Sequence, residues 1–119
     1  MSNMRVLVLF SVVLLGGCTT PADKALIDDV AGVYEGRDGE SALRLILMEN
    51  GKCEEYIDGG KHVKREWVLS DKEVHVRYDW GLMIYRINPN GSLTWIAEER
   101  NGRRKDYAFD LQITFNKVT

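Results

Sequence analysis

Two thiols, Cys18 and Cys53, and two imidazoles, His62 and His75, are the strongest nucleophiles and soft metal ligands in the chain. No Cys-x-x-Cys or His-x-His spacing draws them together, so neither a metal centre nor a redox pair is expected. The sequence also lacks a nucleophile elbow, a Gly-rich phosphate loop and a His-Glu-x-x-His helix, the arrangements that place a nucleophile, an anion cradle or a zinc-activated water. It reads as a non-enzyme without a cofactor.

Two charges interrupt otherwise apolar alternation: Glu55 stands between Cys53 and Ile57, and Arg65 between Val63 and Trp67. A buried charge is tolerated only when paired and hydrogen-bonded, so if their strands keep register the two meet and orient a ligand. The competing reading places both near an open end of the fold, in water. Trp67, and Trp80 between Asp79 and Gly81 in a turn, complete a candidate ligand-binding set of Glu55, Arg65, Trp67 and Trp80. An aromatic in a turn either marks contact with a partner or folds back to cap the core. Arg100, Arg103, Arg104 and Lys105 form a basic hairpin tip offset by Glu98, Glu99 and Asp106. It reads as solvated surface, with docking to an anionic lipid, glycan or protein as the alternative. Both histidines fall on the phase opposite the core and are expected to be exposed.

Cys18 has a different context. The apolar run Val6 to Leu15 would be about 15 Å long as a helix, too short to span a bilayer core of roughly 30 Å. With Arg5 ahead of it and Gly16-Gly17 behind, residues 1–17 have the layout of a secretory signal peptide and are set aside from the fold. Leu15-Gly16-Gly17-Cys18 resembles the lipobox of bacterial lipoproteins. The resemblance implies cleavage before Cys18 and lipid on its sulfur and amine, hence a membrane partner through that anchor. Thr19 in place of Asp after the cysteine implies an outer-membrane location facing the periplasm. Loss of residues 1–17 removes one cation, taking the net charge from −2 to −3, and no basic face points to nucleic acid. Cys53 is then the remaining free thiol.

Residues 18–31 read as the lipidated cysteine, a tether through Asp23, and a short helix carrying Leu26, Ile27 and Val30, with Asp23 as its N-cap. From residue 32 to 119 the pattern is strands and turns, with turn residues at Asn50-Gly51, Gly59-Gly60, Asp71-Lys72, Trp80-Gly81, Asn90-Gly91 and Asn101-Gly102. Eight strands are expected: 33–37, 42–48, 52–57, 62–69, 73–78, 82–87, 93–98 and a long last one, about 104–117. In that last strand Tyr107, Phe109, Leu111, Ile113 and Phe115 alternate onto one face. The inward set also includes Leu43, Leu45, Leu47, Trp67, Leu69 and Tyr78. A long apolar-faced edge invites aggregation, and closure onto the first strand removes it. The expected fold is therefore all-β: a small eight-stranded antiparallel up-and-down barrel with a short N-terminal helix, an open curved sheet being the alternative.

Gly32-Val33-Tyr34, the helix before it and the lipobox together resemble small bacterial lipoproteins with lipocalin-like barrels, including the N-terminal barrel of NlpE-type lipoproteins. The Cys-x-x-Cys of that barrel is absent, so its metal and redox chemistry do not carry over. The layout is also similar to that of the periplasmic lysozyme inhibitors, but their Ser-Gly-x-x-Tyr loop has no match. The resemblance implies a non-catalytic binding or sensing module for a small apolar ligand or envelope component. The alternative is a protein-interaction module such as a lysozyme inhibitor or an assembly accessory. An eight-stranded barrel either fills with side chains or holds one small ligand, and the sequence leaves both open.

Overall fold

Short alternating segments separated by turn residues fold into one hairpin after another, and the hairpins close into a ring. A computed structural model describes residues 21–118. Helix α1 (Pro21–Val30) is followed by β1 (Gly32–Asp38), β2 (Ser41–Leu47), β3 (Lys52–Ile57), β4 (Lys61–Ser70), β5 (Glu73–Tyr78), β6 (Gly81–Ile87), β7 (Leu93–Arg100), β8 (Arg103–Asp106), a 3-10 turn (Phe109–Leu111) and β9 (Ile113–Lys117). The first seven strands lie within two residues of the sequence expectation at each end.

All pairings are antiparallel. Strands β1 to β7 pair in succession, β7 pairs with β9, and β9 pairs with β1, closing an eight-stranded barrel. The inward phase carries Tyr34, Leu45, Leu47, Trp67, Val74, Val76, Tyr85 and Phe115, all buried. Gly36 lets β1 pass close to this core: a Cβ there would lie 3.2 Å from the Phe115 ring and 3.0 Å from the Thr114 carbonyl oxygen.

Helix α1 closes one end. Leu26, Ile27 and Val30 pack on the core, and the Tyr34 hydroxyl donates to the Val30 carbonyl. The helix starts at Pro21, a residue suited to the first turn because its missing N–H has no intrahelical partner there. Asp23 is thus in the first turn and not the N-cap, and Pro21–Asp23, expected as tether, are helical. Residues 1–17, read from sequence as a signal peptide, and Cys18 and Thr19 lie outside the described residues. Among the described residues, no helix is long and apolar enough to cross a membrane.

The last strand differs most from expectation. It is broken: β8 pairs with the second half of β7, and β9 with the first half. Between the pairs Ala97↔Asp106 and Trp95↔Ile113, β7 advances two residues while its partner advances seven, so five residues leave the ladder. Phe109 and Leu111 sit in that excursion and are 87% and 66% exposed, where the period-two pattern expects them inside. Tyr107 and Ile113 nonetheless stay on one phase, since the seven steps from Asp106 on the outer face to Ile113 on the inner one are odd in number.

Strand β7 carries a bulge of its own. Ile84 pairs with Ala97 but Tyr85 pairs with Trp95, leaving Ile96 extra. Ile84 and Ala97 therefore belong to the row of His75 and Asp106 on the outer face, yet both are fully buried. Across this face Arg104 makes a two-pronged bridge to Glu73, at 2.9 and 3.0 Å, while its Nε donates to Asp106. Glu73 also bonds His75, whose side chain is only 15% exposed instead of free in solvent, because the bridge covers its row.

The hydrogen bonds from Arg104 hold the Glu73 carboxyl below the usual carboxylate range. A carboxyl with a depressed native pKa contributes stability above its unfolded pKa and loses it as pH falls through the native one. Between about pH 5 and pH 3 the protein is expected to lose stability, and Glu73→Gln to flatten that limb of the profile. Urea melts across this window check it; an unchanged acid limb in the variant would remove the bridge from the account.

Candidate functional site at the open end of the barrel

A row that climbs from Cys53 towards the end opposite α1 gathers polar and aromatic side chains. Register places Cys53 beside Arg65, Tyr78 beside Gly81, Gly81 beside Arg100, and Arg100 beside Arg103, so the neighbouring strands from β3 to β8 present one line on the concave face. Arg65 links the two parts by lying 3.9 Å above the Tyr78 ring centre. Gly81 leaves a gap in this line, and Trp80 from the β5–β6 turn folds back beside it. Its ring stacks on Tyr78 at 5.2 Å, and the Arg100 guanidinium lies 4.0 Å from its centre. The result is a four-layer stack of Arg65, Tyr78, Trp80 and Arg100, with each guanidinium on a ring face where the negative quadrupole attracts it.

Carboxylates hold both ends of the stack. The Arg65 Nε donates to Glu55 at 3.3 Å, and the Tyr78 hydroxyl donates to the same carboxylate at 2.5 Å. Both charged side chains are about a quarter exposed, so the pair faces inward and still touches water, combining the two sequence readings. Burial, followed by the neighbouring Tyr85 and Glu55, pushes the Tyr78 hydroxyl well above its ordinary range and keeps it a donor. At the other end, the Arg100 Nε and the Tyr107 hydroxyl both donate to Glu98, which holds its carboxyl below the usual range. Tyr107 in turn meets Trp95 edge-on at 5.3 Å.

The sequence-predicted set is thus divided. Glu55, Arg65 and Trp80 come together, while Trp67 faces the helix end, buried, with its indole N–H on the Met48 carbonyl at 2.8 Å. Tyr78, Glu98, Arg100 and Tyr107 join the site without having been in that set. Tyr78 reads as core by its phase and Arg100 as solvated tip by its neighbours; only cross-strand register brings them to Trp80.

Cys53 lies inward on the same row, fully buried, and burial pushes its thiol up to about 12. A thiol so held is neither nucleophile nor ligand at neutral pH. Among the described residues, no three His, Cys, Asp or Glu side chains converge to hold a metal ion. His62 instead stacks on Tyr56 and pairs with Glu54.

Fold and site together define a small closed antiparallel β-barrel, helix-capped at one end and bearing a charged aromatic rim at the other. Compared with protein-family models, curated proteins and solved structures, the chain matches none.

Proposed function

We propose that the chain is a bacterial envelope lipoprotein, held in the outer membrane by lipid on Cys18 and facing the periplasm. On this reading the barrel is a non-catalytic binding module that meets an envelope component at its open rim. One observation carries it: the interior is filled, with Tyr34, Tyr85, Leu45, Leu47 and Leu93 each at most 2% exposed, whereas the assembled polar and aromatic groups lie at the end opposite α1. The helix begins three residues after Cys18, so an anchor there leaves the rim turned away from the membrane.

A photo-crosslinking amino acid at exposed Asp79, beside Trp80, is expected to form a discrete adduct in cells, reduced by Trp80→Ala. The same probe at Glu49, at the helix end, is expected to form none. Equal adducts from both positions, or none from Asp79, would overturn the rim reading. Cys18→Ser is expected to move the chain from membrane to soluble fractions; unchanged fractionation would remove the anchor. A second reading rests on a groove of about 550 Å³ between α1 and the barrel end, with Leu26, Ile27, Trp67 and Leu69 in its wall. A small apolar ligand would sit there, and native mass spectrometry of the purified protein would reveal it as a species lost on denaturation.

A further inference from the structure

We infer that the rim's concave face, on the reading that the rim is the binding surface, takes an acidic segment of a partner protein laid along β8. The β7–β8 hairpin divides its cations between two faces. On the outer face Arg104 uses its whole guanidinium on Glu73 and Asp106. On the concave face Arg100 bonds Glu98 through Nε alone, and among the described residues the side chains of Arg103 and Lys105 make no ion pair or hydrogen bond, although Lys105 stands opposite Glu98 in the ladder. Arg65 likewise engages Glu55 through Nε alone, leaving the fork ends of both stacked arginines free.

Arg100 and Arg103 stand directly opposite each other across the Asn101-Gly102 turn. Like charges so placed repel, and a bound anion relieves that repulsion. The concave face holds Arg65, Arg100, Arg103 and Lys105 against Glu55 and Glu98, and Glu98 is already shared by Arg100 and Tyr107. Guanidinium forks match carboxylates in two-pronged geometry. Arg, Trp and Tyr together are also the residues that dominate protein interfaces.

The geometry favours an extended segment. Strand β8 pairs only with β7 and ends the sheet order, so its other edge is free to accept another strand. All four of its residues are exposed. The helix end keeps an acidic excess, with Asp23, Asp28, Asp29, Glu49 and Asp71 against Lys24, Lys72 and Lys117, whose ammonium donates to the Asp29 carbonyl, so the face proposed for an anion is the one turned from the anchor.

The test titrates fluorescein-labelled poly-L-glutamate with the full-length chain in neutral-detergent micelles and follows anisotropy. Saturable binding that weakens with added salt is expected. Arg103→Glu, at an exposed residue with no partner to lose, is expected to weaken it at least tenfold. Lys72→Glu makes the same charge change at the helix end and is expected to leave it within twofold. Equal weakening by both variants, or no binding, would overturn the proposal. So would displacement of the peptide by phosphatidylglycerol vesicles at lower anion concentration, which assigns the face to lipid. Salt-sensitive self-association abolished by Arg103→Glu would assign it to the acidic end of a second copy and likewise overturn it. If Asp79 adducts persist while Arg103→Glu leaves peptide binding unchanged, the rim reading stands and the acidic partner falls.

Discussion

Gly81→Ala is expected to lower the urea midpoint of the barrel by about 2 M, corresponding to roughly 4 kcal/mol at an m-value near 2 kcal/mol/M. Gly81 has φ +151, and a Cβ there would lie 1.9 Å from the Glu99 carbonyl oxygen. The obstacle is backbone in a paired strand, which cannot swing aside as a flexible side chain can. Relief requires β6 and β7 to separate where Gly81 faces Arg100, one of the joints that keep the ring closed. A loss of this size is a large part of the total stability of a small domain, commonly about 5–15 kcal/mol. Separation there also pulls Arg100 from Trp80, so the variant should show altered Trp fluorescence even where it remains folded. A midpoint within about 0.5 M of the parent, roughly 1 kcal/mol, would show that the joint is not tight.

Trp67→Ala is expected to cost about 3–5 kcal/mol, the range for deleting a large buried aromatic with incomplete collapse of the space. Trp67 is 3% exposed, and its indole N–H is satisfied by Met48. It ties β4 to the end of β2 next to the wall where Leu26 and Ile27 of α1 pack. Trp67→Phe keeps most of the apolar contact and leaves the Met48 carbonyl without this donor, so about 1 kcal/mol is expected. The pair separates structure from binding. Both variants should lower thermal stability in that order, while Trp67→Phe leaves rim adducts from Asp79 unchanged. Loss of those adducts in a folded Trp67→Phe protein would return Trp67 to the binding set.

The barrel was legible because hairpin turns announce themselves locally. Asn101-Gly102 supplies two adjacent positive φ angles, and side chains such as Leu43, Leu45 and Leu47 alternate within a single strand. The excursion at Phe109–Leu111 was not legible, because Tyr-Ala-Phe-Asp-Leu-Gln contains no Gly or Pro and continues the apolar alternation of its neighbours. What breaks the strand is the division of β7 between two partners, a property of pairing between segments. His75 shows the same limit: it lies on the outer phase that its spacing implies, but its cover is Arg104, reaching over from three strands away in the sheet.

The site was legible in part for the same reason. Glu55 and Arg65 could be paired from spacing alone because they lie on adjacent strands joined by a short turn. The stack they belong to runs from β4 to β7, and its members are drawn from the whole stretch of chain between Arg65 and Arg100. By itself the sequence determined the strand count before the final break, the turn positions, the polarity of each face and the closing helix, since these follow from backbone conformation and period-two burial within a few residues. Only the tertiary structure decided that the interior fills with side chains, that Trp67 and Trp80 face opposite ends, and that Arg100 caps Trp80 while Arg104 spans the outer wall. Each of these depends on register summed over several strands, where the single bulge at Ile96 turns Glu98 and Arg100 inward in place of Ala97 and Glu99.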